Sequence, residues 1–185
     1  MKTKDQLRKK FLTLRKKKYF DVSNTKFDQL IKYINNKYKE KKYFFIALYY
    51  PSNYEIDILK ISNKFKKSNA VFLLPKIQNG NLLKFLEWNE KDVLLVNRFG
   101  IPEPLNTQKS FLPDIVLVPL LAFDNKRNRL GYGKGFYDKY LNNLIKLNKK
   151  IETIGVAFSF QKHTNIPSSK LDFRLNNIFT EKGFL

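Results

Sequence analysis

The segment 114–141, DIVLVPLLAFDNKRNRLGYGKGFYDKYL, constrains the fold more than any other stretch of this chain. It joins a buried strand to a helix through a basic loop with three glycines. Residues 114–118 form a short apolar run of β-branched residues and leucine, the pattern of a strand covered on both faces. Pro119 is expected to end it, because proline has no N–H to give to a sheet ladder. From Phe136 onward, Phe136, Tyr140, Leu144 and Leu147 recur at helical spacing. Between strand and helix, Gly131, Gly133 and Gly135 permit positive φ and a close approach of ligand to backbone. Loop amides and a helix N-terminus then converge on one spot, a geometry that binds anions. Arg129 and Lys134 add full positive charge. Asp138, one turn into the helix, is a candidate oxygen ligand for magnesium. The spacing is neither GxxxxGK[ST] nor GxGxxG, so an ordinary strand–loop–helix connection stays open as the alternative.

The rest of the chain repeats the same alternation. Residues 4–19 read as a helix with Leu7, Phe11 and Leu14 on one side and Lys or Arg on the other, opened by a Thr3-x-x-Gln6 capping pattern. Ser23 or Asn24 is positioned to cap a second helix that turns Phe27, Leu30, Ile31, Ile34 and Tyr38 inward. A strand at 43–50 stops at Pro51, and a helix from about Glu55 carries Ile58, Leu59, Ile61 and Phe65. The next strand, 70–74, is closed by Pro75. Asn79-Gly80 signals a hairpin turn, with 82–88 as the return strand and Trp88 in the core. Residues 97–111, with Gly100, Pro102 and Pro104, read as a long ordered loop. After the 136–148 helix come strands at 151–157 and 177–180. This pattern predicts an α/β chain, one domain over 1–185, with a three-layer Rossmann-like arrangement: a mainly parallel sheet with helices on both faces. In such a sheet ligands collect outside the carboxyl ends of the strands, where the glycine loop lies.

Composition narrows the function. The chain of 185 residues has no cysteine, which excludes disulfides, thiolate metal sites and cysteine nucleophiles. The first twenty residues are basic but carry no apolar h-region, so they are not a secretory signal. No apolar run reaches the roughly 18 residues of a membrane span. A cytoplasmic location and no membrane partner are expected. The formal charge of +20 could indicate a nucleic-acid binder. However, 30 of the 36 cations are lysine and 19 asparagines accompany them, which matches AT-rich coding rather than an arginine–aromatic reading surface. The charge is read as a field that attracts polyanions, with no specific nucleic-acid partner. His163 reads as a surface residue.

Taken in order, these segments resemble the 5-formyltetrahydrofolate cyclo-ligase (5,10-methenyltetrahydrofolate synthetase) family. The similarity is carried by Lys4-x-x-x-Arg8, YYPSNYEID, FLLPKI, FGIPEP, the block VPLLAFDNKRNRLGYGKGFYDKYL, TIGVAFSFQ and IPSSKLDFRLNNIFTE. The resemblance implies an ATP-dependent enzyme that closes 5-formyltetrahydrofolate to 5,10-methenyltetrahydrofolate, with phosphorylation of the formyl oxygen and release of ADP and phosphate. It implies ATP contacts at Lys4, Arg8, Arg129, Gly131, Tyr132, Gly133, Lys134, Gly135, Phe136 and Tyr137. Folate contacts fall at Tyr50, Glu55, Tyr132, Gly133, Lys134, Gly135 and Phe136. Catalytic roles go to Arg129, Lys134 and Tyr137, and magnesium ligation to Asp138 and Asp172. Polyglutamylated folates are admissible substrates, and a monomer is expected. Phe136 stands where the family commonly has Tyr, and Leu171 precedes Asp172 where the family often has His. The competing class is a basic nucleotide- or RNA-binding protein that uses the same cationic face without catalysis.

Overall fold

The computed structural model describes residues 3–65, 69–147 and 149–185. The first half contains α1 (Lys4–Lys18), α2 (Asp28–Tyr38), β1 (Phe44–Ala47), a 3-10 helix (Ile58–Phe65), β2 (Ala70–Gln78) and β3 (Leu82–Glu87). A small hairpin pairs β4 (Leu94–Val96) with β5 (Pro102–Pro104). Then come β6 (Ile115–Pro119), a second small hairpin of β7 (Ala122–Phe123) and β8 (Arg129–Leu130), and α3 (Phe136–Lys146). The chain closes with β9 (Glu152–Val156), β10 (Asn177–Thr180) and β11 (Gly183–Phe184).

Seven strands form the main sheet in the order β11-β10-β9-β6-β1-β2-β3. The pairings from β10 to β2 are parallel, and only the two edge strands run antiparallel. Alternation along β6 sets the layers. Ile115 and Leu117 join the core beneath α2 and the 3-10 helix, whereas Val116 and Val118 join the core beneath α3. Helices therefore cover both faces, as the α/β pattern predicts. Full burial of residues such as Ile34 in α2 and Leu141 in α3 contributes roughly 1.5–3 kcal/mol each. From β1 the chain adds β2 on one side of the sheet, while β6 lies on the other. The crevice at that change of direction is where such sheets bind ligands.

Several local expectations are corrected. The strand expected to stop at Pro75 runs on to Gln78, because Pro75 faces Phe85 in an antiparallel ladder. The Trp88 N–H donates to the Phe72 carbonyl, so hydrogen-bonded pairs fall at every second residue and skip Pro75. Its missing donor costs no bond to β3. Likewise Pro119 stays inside β6, opposite Val156. Residues 58–65 are 3-10 rather than α-helical. There Asp57 accepts from the Leu59 N–H and the Ser62 hydroxyl donates to the Leu59 carbonyl, both competing with regular helix bonds.

The expected loop at 97–111 contains β5. It is held by buried Glu103, which accepts from Ile77 N (2.8 Å) and Asn97 Nδ2 (2.7 Å). In α1 the capping box at Thr3 and Gln6 forms. Its buried face is Leu7, Phe11 and Arg15, with Leu14 only half-buried. α3 ends at Lys146, which leaves Leu147 exposed at its C-cap, and residue 148 of the expected helix lies outside the described residues. Trp88 is in the core as expected. His163 is half-buried and sits edge-on to Phe11 rather than free on the surface.

Candidate active site at the strand ends

The glycine loop follows β8 and opens α3. Gly133 (φ 93°) and Gly135 (φ 71°) adopt the left-handed backbone that a side chain disfavours, and Gly135 is the N-cap of α3. Arg129, at the loop entrance, is nearly buried and donates from Nη2 to Asp138 Oδ1 at 2.7 Å. The same carboxylate oxygen accepts from Phe173 N at 3.0 Å, tying α3 to the segment before β10. Arg129 Nε is buried without a hydrogen-bond partner. Its guanidinium lies 5.9 Å from the Tyr137 ring centroid, and burial pushes the Tyr137 hydroxyl well above its ordinary pKa. Lys134 is exposed, with no ion pair among the described residues.

α1 delivers the second set of cations. Lys4 Nζ spans both oxygens of Asp172 at 2.7 and 2.6 Å. Burial alone would raise the Asp172 carboxyl. The Lys4 ammonium and the Ser169 N–H and hydroxyl outweigh it and hold the group below its usual value. Arg8 donates from Nε to Gly131 O at 3.0 Å and lies against Gly133. Helix α1 thus packs Arg8 onto the glycine loop.

The third part comes from the end of β1. Asn53 (φ 48°) and Tyr54 (φ 61°) are consecutive left-handed residues that turn Glu55 inward. Glu55 is buried. Its Oε2 accepts from Ser52 N at 2.8 Å, and its Oε1 accepts the Tyr132 hydroxyl. Burial raises its pKa above the ordinary glutamate range, against the pull of Arg15, Tyr132 and Ser52. Tyr50 lines a cleft of about 320 Å³ beside Asp57, Lys60, Asn63 and Trp88. Phe136 packs edge-on against Phe99, with ring centroids 5.8 Å apart.

The structure thus brings Lys4, Arg8, Glu55, the 129–138 loop and Asp172 into one connected set. Tyr50 belongs to the adjoining cleft. Sequence reasoning missed Arg15, which is fully buried and bonded to Tyr132 and to the Asn53 carbonyl. The spacing of Leu7, Phe11 and Arg15 was the available signal, because it puts an arginine on the apolar face. It also missed Asp124, whose carboxylate accepts from Lys126 N, Asn128 N, Asn128 Nδ2 and Ile166 N and so closes the β7–β8 turn. The Asp124…Asn128 turn composition was the clue there.

Among the described residues no group of three or more His, Cys, Asp or Glu could hold a metal. Magnesium usually takes only one or two carboxylates together with substrate phosphates. Asp138 fits that requirement: both of its bonds fall on Oδ1, leaving Oδ2 available. Asp172 has both oxygens engaged, so it fits only once Lys4 has turned elsewhere.

A model of the 5-formyltetrahydrofolate cyclo-ligase family matches residues 1–181. The 5-formyltetrahydrofolate cyclo-ligase of Haemophilus influenzae is 35% identical over 139 residues, covering 72% of this chain and 73% of that relative. That of Escherichia coli K12 is 30% identical over 142 residues, with 73% and 76% covered. Among solved structures, the 5,10-methenyltetrahydrofolate synthetase of Aquifex aeolicus superposes with a TM-score of 0.76 at 31% identity, over 98% of this chain and 91% of that one. A Mycoplasma pneumoniae 5,10-methenyltetrahydrofolate synthetase shares the fold with a TM-score of 0.68 at 24% identity, over 96% and 98%.

Proposed function

The chain belongs to the 5-formyltetrahydrofolate cyclo-ligase family, and from that premise we propose how its residues divide the ATP-dependent closure of 5-formyltetrahydrofolate to 5,10-methenyltetrahydrofolate. The formyl oxygen attacks the γ-phosphorus of ATP and ADP leaves. N10 then adds to the activated formyl carbon, the N10 proton is lost, and the C–O bond breaks to release phosphate. Phosphoryl transfer of this kind needs positioning and charge neutralisation more than a protein nucleophile. One observation carries the assignment: α1, the β1 end and the glycine loop converge. Arg8 bonds Gly131, and Glu55 bonds Tyr132.

Lys4, Arg8, Arg129 and Lys134 neutralise the triphosphate, with the amides of 131–135 beneath it. The unpartnered Nε of Arg129 supports a donor role toward an anion. Lys4 exchanges Asp172 for phosphate when ATP enters. Tyr137 and Phe136 wall the nucleotide side, and Tyr50, Glu55 and Tyr132 hold the folate. Asp138, joined by Asp172 after that exchange, would hold magnesium. When bound, the metal would offset the negative charge that develops on the phosphate during transfer. The enzyme is placed in the cytoplasm, as a monomer acting on free and polyglutamylated folates without a specific nucleic-acid partner.

The test is turnover with ATP, magnesium and 5-formyltetrahydrofolate, comparing Arg8→Ala and Glu55→Gln. The assignment requires Arg8→Ala to raise the KM for ATP and Glu55→Gln to raise the KM for folate. If each variant changed both constants equally, this division of labour would be wrong.

A further inference from the structure

Arg15 has no part in the roles above, yet it is 1% exposed and two of its three hydrogen bonds lead to Tyr132 and to the turn that carries Glu55. Nε donates to the Asn53 carbonyl at 2.8 Å, Nη1 to the Leu120 carbonyl at 3.2 Å and Nη2 to the Tyr132 hydroxyl at 2.5 Å. Nη1 stands 3.9 Å from Glu55 Oε1, and the guanidinium lies 5.6 Å from the Tyr132 ring centroid. One planar fork therefore reaches the turn after β1, the end of β6 and the glycine loop.

We propose that Arg15 is a positioning residue that fixes the Glu55 carboxylate and the Tyr132 hydroxyl as a single folate-binding unit. Two observations converge on this. The Asn53–Tyr54 turn places two non-glycine residues in succession in the left-handed region. Such a turn persists only where its surroundings over-determine it, and the Arg15 bond to the Asn53 carbonyl does so. Second, the Tyr132 hydroxyl is shared: it donates to Glu55 and accepts from Arg15, so its single proton is committed to the carboxylate. Without Arg15 the hydroxyl could rotate, and Glu55 would keep its Ser52 bond but lose its alignment with the loop. Lysine cannot replace this fork, since one ammonium on a flexible stem does not reach three acceptors in a plane. The inference rests on the reading of Glu55 and Tyr132 as folate contacts.

The experiment measures kcat, both KM values and the melting temperature for Arg15→Lys, Tyr132→Phe, their double variant and Glu55→Gln. Arg15→Lys is expected to raise the folate KM about tenfold while the ATP KM stays within about twofold, as loss of a charge-assisted positioning bond should. Tyr132→Phe should add little on top of it, because the two residues act as one unit. Equal changes in the two KM values, or multiplicative effects in the double variant, would overturn the proposal and leave Arg15 a structural residue. Should Arg15→Lys fail to fold, Tyr132→Phe alone decides: a folate KM within twofold of the parent overturns the proposal. Glu55→Gln separates the premises. If it raises the folate KM while Arg15→Lys does not, only the Arg15 inference fails. If it leaves the folate KM unchanged, the folate reading of this pocket fails and the inference with it.

Discussion

Arg8 lies so close to Gly133 that a β-carbon on the glycine would sit 3.0 Å from Cζ and 3.3 Å from Nε of the arginine. The first helix and the glycine loop are thus fitted to each other. The φ of +93° at Gly133 adds strain for any side chain. Gly133→Ala is expected to cost roughly 1–3 kcal/mol and to raise the ATP KM at least about tenfold by displacing Arg8. Gly80 is the control, with φ +72° and open space around its would-be β-carbon. Gly80→Ala should cost about 1 kcal/mol, a fall of about 2–4 °C in melting temperature, and leave both KM values unchanged. Calorimetry with steady-state kinetics on both variants checks the contrast, and a full-activity Gly133→Ala enzyme would refute it.

The Lys4–Asp172 pair is partly solvated, with side chains 30% and 24% exposed, so breaking it should cost less than about 1 kcal/mol. Lys4→Ala is therefore expected to melt near the parent temperature while binding ATP about tenfold more weakly, read by titration with a non-hydrolysable ATP analogue. Unchanged nucleotide affinity would return Lys4 to the role of a surface cation.

Glu55 supplies a pH signature. Burial raises its folded-state pKa, so the folded protein holds this proton more tightly than the unfolded chain does. The stability that follows is fully present below the ordinary glutamate pKa of about 4.3 and is lost as pH rises through the raised folded value. Glu55→Gln cannot titrate. The melting temperature of the parent minus that of the variant should therefore fall as pH rises above about 4, through the raised folded value. A difference that stays flat or widens would show that the carboxyl is not raised.

Asp138 faces an arginine whose side chain is only 4% exposed. Asp138→Asn keeps an oxygen for Arg129 and for the Phe173 N–H but removes the opposing charge, at a cost of roughly 1–3 kcal/mol. If Oδ2 also meets magnesium, kcat should fall more than about tenfold and half-maximal activity should need more magnesium. A stability loss with unchanged magnesium dependence would make Asp138 the partner of Arg129 alone.

Much of this architecture is legible in the chain. Ile115 to Val118 alternate between two buried faces, and Asn79-Gly80 turns where a left-handed residue is needed. The glycines at 133 and 135 occupy backbone that only they adopt comfortably. What escaped detection depends on partners distant in sequence. Arg15 looks like one more lysine-rich helix cation until Glu55 and Tyr132 are brought to it from 40 and 117 residues away. Pro75 and Pro119 read as strand ends, and Pro102 and Pro104 as loop residues, because a sequence does not reveal which edge of a strand lacks a hydrogen-bonding neighbour. Lys4 and Asp172 were assigned to different ligands, and only the fold pairs them.

In the proposed function these converging segments couple ATP cleavage to ring closure. The most direct test is a single-turnover experiment with ATP, magnesium and 5-formyltetrahydrofolate, quantifying ADP, phosphate and 5,10-methenyltetrahydrofolate in the same samples. Coupled turnover gives equal amounts of all three, no ADP when folate is omitted, and a parallel loss of all three in Gly133→Ala. ATP cleavage without methenyl product, or methenyl product without ATP, would contradict it.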